Sequence, residues 1–246
     1  KRISSSKSVR KGKRISSSKS VKKDNINKII HQVYGIFDDG VPLEKIDVFA
    51  TNVEKTKDFC IEHDIKHIMW DLKKSTELIN TDFPQYKKLW NDFSVPIMRA
   101  DFIRYCILYK YGGIYVDCDI HPIENIDHLF LKEYFFVRWN DDKKKLPYNA
   151  ILGGQKGEPI YDEIMKHCKE SYYEKKKQPI YKQWKGRLVF QTTGHYMLQR
   201  VIKKNKVPLS NILDIIKIHA KSGKTVQGSN PLFEDSNAST WFSGKK

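Results

Sequence analysis

Residues 99–122, RADFIRYCILYKYGGIYVDCDIHP, decide the reading of this chain. They spell an amphipathic helix, a double-glycine stop, a short apolar strand and two aspartates one residue apart. Phe102, Cys106 and Tyr109 recur at helical spacing, with Ile103 and Ile107 beside them, as one apolar stripe. Asp92 or Ser94 is placed to cap the helix, and Pro96 suits its first turn. Gly112 suits a left-handed C-terminal position, and Gly113 a close approach as the chain turns into the strand IYV. On a strand, residues two apart point to one side, so Asp117 and Asp119 would face one ion while Cys118 faces away. Open α/β sheets bind ligands at the carboxyl ends of their strands. Two hard carboxylates there suit Mg²⁺ or Mn²⁺ holding a phosphorylated substrate. The plain alternative for a short Asp-x-Asp is a solvated loop, and the apolar strand that delivers this one argues against it. Asp101 and Arg104, three apart, share a helix face, and spacing alone leaves both a surface ion pair and a site pair open.

Outward from this unit, strands and helices alternate. Strands are expected at Lys28–Tyr34, His67–Trp70, Glu133–Trp139, Ala150–Leu152 and Ile212–His219. Helices are expected at Lys55–His63, Ser75–Ile79, Gln85–Asn91, Pro159–Tyr173 and Gly194–Lys203. Charged residues from Asp141 to Lys145 and the polar run Glu174–Gln178 read as loops. The alternation predicts an α/β domain over residues 24–246 with a central mixed, mostly parallel sheet.

Residues 1–23 stand apart. KRISSSKSVRKG is followed by KRISSSKSVKKD, a near-identical duplication. Lys1–Lys23 holds ten of the cations behind the net charge of +16, and no acid. Such a basic, low-complexity tail cannot bury a core and is expected to be disordered, solvated or bound to an anionic partner such as nucleic acid or membrane. No run of 18 apolar residues exists, so no transmembrane span is expected in this chain. Cys60, Cys106, Cys118 and Cys168 lack CxxC spacing, which argues against zinc, and reduced thiols fit a cytoplasmic setting. A Golgi-type lumen is the alternative if an anchor lies outside this sequence.

The helix–YGGIY–DxD unit resembles the DXD sugar-binding region of glycosyltransferase family 32, which includes yeast-type α-mannosyltransferases and capsule enzymes. Clostridial glucosylating toxins are more distant relatives. Further segments are similar to that family: NKIIHQVYG from Asn27, NAILGGQKGEPIYDEIM from Asn149, QTTGHYMLQRVI from Gln191 and DSNASTW ending at Trp241. The resemblance implies a GT-A fold, a single Rossmann-like domain. It also implies a retaining, Mn²⁺- or Mg²⁺-dependent enzyme that moves a sugar from a UDP- or GDP-linked donor to a glycan, protein or lipid acceptor.

By the same resemblance Asp119 binds the ion, and Asp117 contacts the ribose or reaches the ion through water. Asp101 and Arg104 bind donor sugar hydroxyls, and Tyr115 lines the nucleotide site. Tyr34, in place of the family's tryptophan, stacks on the base or is simple core. Asn149 hydrogen-bonds donor or acceptor. The family's C-terminal histidine is absent, so the closing ligand near Trp241 falls to Asp235, Ser236 or Ser239. Two other classes stay open: a metal-dependent phosphohydrolase or nucleotidyltransferase using the same aspartates, and a nonenzymatic basic nucleic-acid-binding protein.

Overall fold

The computed structural model describes residues 28–37, 40–141, 144–219 and 225–238. The basic tail, Ser239 and Trp241 lie outside them. In chain order the elements are β1 (Ile29–Val33), α1 (Asp47–Glu62), β2 (Lys66–Trp70), α2 (Leu72–Asp82), α3 (Lys87–Asp92) and α4 (Pro96–Tyr111). Then come β3 (Gly113–Val116), β4 (Ile120–Pro122), β5 (Tyr134–Asp141), β6 (Lys144–Gly154) and α5 (Pro159–Lys175). The chain continues through α6 (Pro179–Gln183), α7 (Lys185–Thr192), α8 (His195–Lys204), β7 (Ile212–Leu213), β8 (Ile216–His219), β9 (Thr225–Gln227) and β10 (Phe233–Asp235).

A six-stranded sheet runs β2-β1-β3-β6-β5-β7. Its β1–β2, β1–β3 and β5–β7 pairs are parallel, and the long β5–β6 hairpin and β3–β6 are antiparallel. This is the mixed, mostly parallel sheet expected from the β/α alternation. A second sheet, β4-β10-β8-β9, was not anticipated. Its strands are three or four residues long, too short for a period to be read.

Apolar side chains fill both faces of the main sheet. Helices α2–α5, α7 and α8 pack on one face, with Tyr115, Phe136 and Leu152 turned toward them. Ile30, Ile114, Val116, Phe135, Val137 and Ile151 point to the other face, toward the small sheet. The period-two alternation of β3 thus sends Tyr115 to the α4 side and its neighbours away.

Helix α4 is enclosed rather than amphipathic: every residue from Ala100 to Leu108 is buried. The run FIRYCILY is apolar on all sides apart from Arg104, as suits a helix sealed between a sheet and other helices. Its N-cap is Val95, with no side-chain cap, so neither Asp92 nor Ser94 serves. Pro96 supplies the first turn as expected. Gly112 takes φ 69° and ψ −161°, an extended mirror-image conformation rather than a left-handed helical one. A Cβ on Gly113, at φ +93°, would lie 2.5 Å from the Ile29 carbonyl oxygen, so this glycine lets β3 pair with β1.

The predicted loop over Asp141–Lys145 is corrected too: Asp141 pairs with Lys144 at the end of the hairpin. Charge made it look like loop, whereas the ladder is carried by the backbone; residues 142–143 of that expected loop lie outside the described residues. Helix α1 begins eight residues before the expected Lys55, and α6 and α7 follow the expected loop in residues for which no element was foreseen. The strand expected over Ile212–His219 is split into β7 and β8.

Candidate active site

The carboxyl end of β3 opens into a turn, not a continued strand. Asp117 N–H still donates to the Ala150 carbonyl at 2.9 Å, and Ile120 N–H then folds back to the Asp117 carbonyl at 3.1 Å. Strand alternation is therefore not what sets the two aspartates. The turn does, and Cys118 is turned away within it, its thiol 3.4 Å from the Val33 carbonyl.

One polar network lies on the helix side of Asp117. Arg104 is buried, 3% exposed, and Asp101 is 5% exposed, which removes the surface-pair reading. The Arg104 guanidinium lies 3.1 Å from Asp101 Oδ1 and 3.4 Å from Asp117 Oδ1. It donates to the Asn149 carbonyl at 2.6 Å and to Ala100 at 3.2 Å, and sits 4.6 Å from the centroid of the Tyr115 ring. Asn149 Nδ2 donates to Asp101 Oδ1 at 2.9 Å, and the Thr193 hydroxyl to Asp101 Oδ2 at 2.9 Å. Burial pushes the Asp101 carboxyl up to about 6, with Arg104, Thr193 and Asn149 pulling the other way. Arg104 is held firmly protonated, because Asp117, Tyr115 and Asp101 outweigh the opposing effect of burial. The Tyr115 hydroxyl donates to Asp117 Oδ1, and burial keeps that phenol protonated.

A second network lies on the small-sheet side. Strand β10 pairs antiparallel with β4, setting Asp235 opposite Ile120, one residue from Asp119. Ser236 N–H donates to the Asp119 carbonyl at 2.9 Å, and Ala238 N–H to Asp119 Oδ2 at 3.0 Å. Asp235 is fully buried, holds the Asn237 N–H on Oδ1 and takes the Tyr148 hydroxyl on Oδ2. Burial raises both the Asp119 and Asp235 carboxyls; repulsion from Asp235 and Asp117 adds to it at Asp119. Ser236 Oγ is turned toward Asn52, whose Nδ2 lies 3.0 Å away, and Asn52 Oδ1 in turn receives His121 Nδ1 at 2.6 Å.

The two networks bring together Asp101, Arg104, Tyr115, Asn149, Asp117, Asp119 and Asp235. Tyr34 is placed differently: its hydroxyl donates to Val41 O at 2.8 Å, and its ring meets Phe49 edge-on at 6.1 Å. His31 is a packed core group. Its Nδ1 accepts from Trp70 Nε1 at 3.2 Å, which leaves Nε2–H to donate to Gly112 O at 3.0 Å, and burial lowers its pKa to about 4. Three participants were not singled out in the sequence. Thr193 lies inside the QTTG stretch, which was read only as a helix start. Tyr148 directly precedes Asn149, and Asn52 falls in the unanticipated first half of α1.

Among the described residues no three His, Cys, Asp or Glu side chains already converge as a complete metal cage. The donor set nonetheless fits a hard divalent ion of the Mg²⁺ or Mn²⁺ kind. Asp117, Asp119 and Asp235 are mutually repelling oxygen donors, and such ions are commonly held by one or two carboxylates with water and substrate phosphate completing the shell.

Comparison with known proteins finds similarity over part of this site. The "Glycosyltransferase sugar-binding region containing DXD motif" matches residues 46–136, which include Asp101, Arg104, Asp117 and Asp119. An uncharacterized glycosyltransferase of Acanthamoeba polyphaga mimivirus is 27% identical over 146 residues, 58% of this chain and 55% of that protein. A mannosyl phosphorylinositol ceramide synthase of Saccharomyces cerevisiae is 32% identical over 156 residues, 60% of this chain and 37% of the relative. An inositol phosphoceramide mannosyltransferase of Schizosaccharomyces pombe is 28% identical over 142 residues, covering 37% of its length. The matches thus span about a third to a half of these curated relatives. Among solved structures, the PaToxG glycosyltransferase aligns at a TM-score of 0.49 and 15% identity, covering 73% of this chain and 69% of that one. No helix among the described residues is long and apolar enough to cross a membrane. Residues 46–136 of the chain are thus similar to the glycosyltransferase sugar-binding region with its DXD motif.

Proposed function

We propose that this chain is a metal-dependent, retaining GT-A glycosyltransferase that uses a nucleotide-sugar donor. The observation that carries the reading is the buried cage around Arg104, set beside Asp117 and Asp119 of the DXD region and Asp235 of β10. A buried cation and carboxylate fixed by Asn149, Thr193 and Tyr115 form a preorganised polar wall, which stabilises developing charge without reorganisation. Asp101 and Arg104 orient the donor sugar hydroxyls, Asn149 holds their carboxylate and guanidinium in register, and Tyr115 and Tyr34 flank the nucleotide. Asp119 and Asp235 hold the ion, with Asp117 beside it and Ser236 fixing the segment that brings Asp235 in. Ser239 and Trp241 belong to the same closing segment in this scheme. When bound, Mn²⁺ or Mg²⁺ supplies Lewis-acid neutralisation of the leaving diphosphate. Both Asp101 oxygens are occupied, so it is a poor covalent nucleophile, which favours a front-face route to retention.

The relatives named mannosyltransferases and inositol phosphoceramide enzymes make GDP-mannose and an inositol-phosphate lipid the first donor and acceptor to try. The test is release of nucleoside diphosphate from a panel of UDP- and GDP-sugars in Mn²⁺, with and without acceptor, and the anomeric configuration of the product by NMR. Acceptor-stimulated, chelator-sensitive release with retained configuration is expected. Turnover of phosphoesters or nucleoside triphosphates with none of any nucleotide sugar would establish the phosphohydrolase or nucleotidyltransferase reading instead.

A further inference from the structure

The corner formed by the end of α5 with α6 and α7 carries surface that the donor site does not use. From Glu174 to Arg187 the chain reads EKKKQPIYKQWKGR, six cations against one carboxylate. Lys175 pairs with Glu174 at 3.6 Å and Lys176 with Asp92 at 3.3 Å. Lys177, Lys182, Lys185 and Arg187 are exposed and have no carboxylate at ion-pair distance among the described residues. Between these cations stand Ile180, 47% exposed, and Trp184, 69% exposed. Trp184 N–H donates to the Ile180 carbonyl at 3.1 Å, so a helical turn links the two and puts them on one face. The same α7 leads from Trp184 to Thr193, whose hydroxyl holds Asp101. At ~1.5 Å per residue that path is about 13 Å.

We propose that this corner docks the protein on an anionic bilayer, with Trp184 and Ile180 at the headgroup–acyl boundary and the four free cations on the headgroups. An exposed tryptophan with an aliphatic partner, ringed by lysine and arginine, is the composition an anionic interface selects. The charge is complementary, and a branched aliphatic gains from acyl chains what a nucleobase would not offer it. Docking itself is independent of the transferase reading. Its use, to bring a lipid-headgroup acceptor near the Asp101 network, rests on that reading.

The test uses the full chain and vesicles of phosphatidylcholine, with or without phosphatidylserine, whose acyl chains carry bromine. Tryptophan fluorescence is expected to be quenched only with the anionic vesicles, and the quenching to disappear in Trp184→Phe. Trp70 and Trp90 are buried and out of reach. In co-sedimentation, Ile180→Ser with Trp184→Ser should weaken binding about tenfold or more. Lys182→Ala and Lys185→Ala should each weaken it about fivefold. Quenching that is absent, or equal in the parent and Trp184→Phe, overturns the proposal. So does unchanged sedimentation of the serine variant, which would assign vesicle binding to the basic residues before Asp24. Capture of single-stranded RNA by these side chains without vesicle quenching overturns it as well. Hydrolysis of soluble nucleotide sugar should be the same in all variants. A parent with quenching but no hydrolysis would strike the transferase reading and leave the docking intact.

Discussion

Replacing Arg104 by lysine separates a scaffold from a donor site. In the structure the guanidinium meets Ala100 O, Asn149 O, Asp101 and Asp117, and stacks on Tyr115. An ammonium on a flexible stem is a point charge without the planar fork, so it cannot span these partners. Retaining the charge spares the larger cost, about 3–5 kcal/mol, of an unpaired buried carboxylate. Two buried acceptors are still left unmet, at about 1–3 kcal/mol each. At ~2–4 °C per kcal/mol for a chain of this size, the melting temperature should fall on the order of 5–15 °C. Turnover, measured well below both melting temperatures, should fall roughly 10–1,000-fold if these contacts strengthen in the transition state. Arg99→Lys is the control. Arg99 donates to Trp90 O at 3.1 Å and lies 5.7 Å from that ring, so a shift of about 1 kcal/mol and little change in turnover are expected. The assay is nucleoside diphosphate release from the active donor, beside thermal melts. Lower melting with unchanged turnover of the folded variant would make Arg104 a scaffold group and end the donor-site assignment on α4. Unchanged melting would refute the energetic reasoning itself.

Further perturbations probe other parts. Asp119→Asn should abolish Mn²⁺-dependent turnover and weaken Mn²⁺-dependent donor binding by calorimetry; full activity in chelator would exclude metal dependence. Gly113→Ala should cost several-fold more stability in urea than Gly157→Ala, for which ~1 kcal/mol is expected. Both glycines have positive φ, but only Gly113 has backbone within 4 Å of the added methyl. His31, fully buried with a pKa of about 4, binds its proton less readily folded than unfolded, so its share of stability is lost as pH falls from ~6.5 toward 4. That share is at most about 3 kcal/mol. The raised carboxyls of Asp101, Asp119 and Asp235 act in the opposite sense, so His31 must be read as the difference between the parent and His31→Gln in urea titrations at pH 7 and pH 4. An equal pH slope in both proteins would refute the assignment. Deleting residues 1–23 should leave the melting temperature and donor hydrolysis nearly unchanged.

What was legible in the sequence was what local periodicity and chain punctuation encode. The central helix, the glycine pair and the strand into Asp117 sit where their spacing put them, because adjacent residues determine them. The burial of Arg104 was also present in FIRYCILY, where apolar residues flank it on both sides, although the stripe of Phe102, Cys106 and Tyr109 drew the reading toward an amphipathic helix. The turn at Asp117 was not legible: it depends on β4 leaving the main sheet to pair with β10. Thr193 and Tyr148 escaped for a related reason. Each contributes one hydroxyl across a separation of 92 or 87 residues, and no spacing rule reports such a partner.

Strand β10 gives the site an order of assembly. Asp101, Arg104, Asp117, Asn149 and Thr193 all precede α8 in the chain. Asp235 enters 116 residues after Asp119, on a three-residue strand wedged between β4 and β8. A chain being synthesised can therefore close the Arg104 cage while its ion site still lacks a wall. If the proposed ion site is the catalytic one, competence arrives with nearly the last segment of the described fold, and a translation product ended before it should keep the Arg104 cage and be chemically silent. Such a product would be a competitor for donor rather than a weak enzyme, and a stop codon before Phe233 is the way to make one.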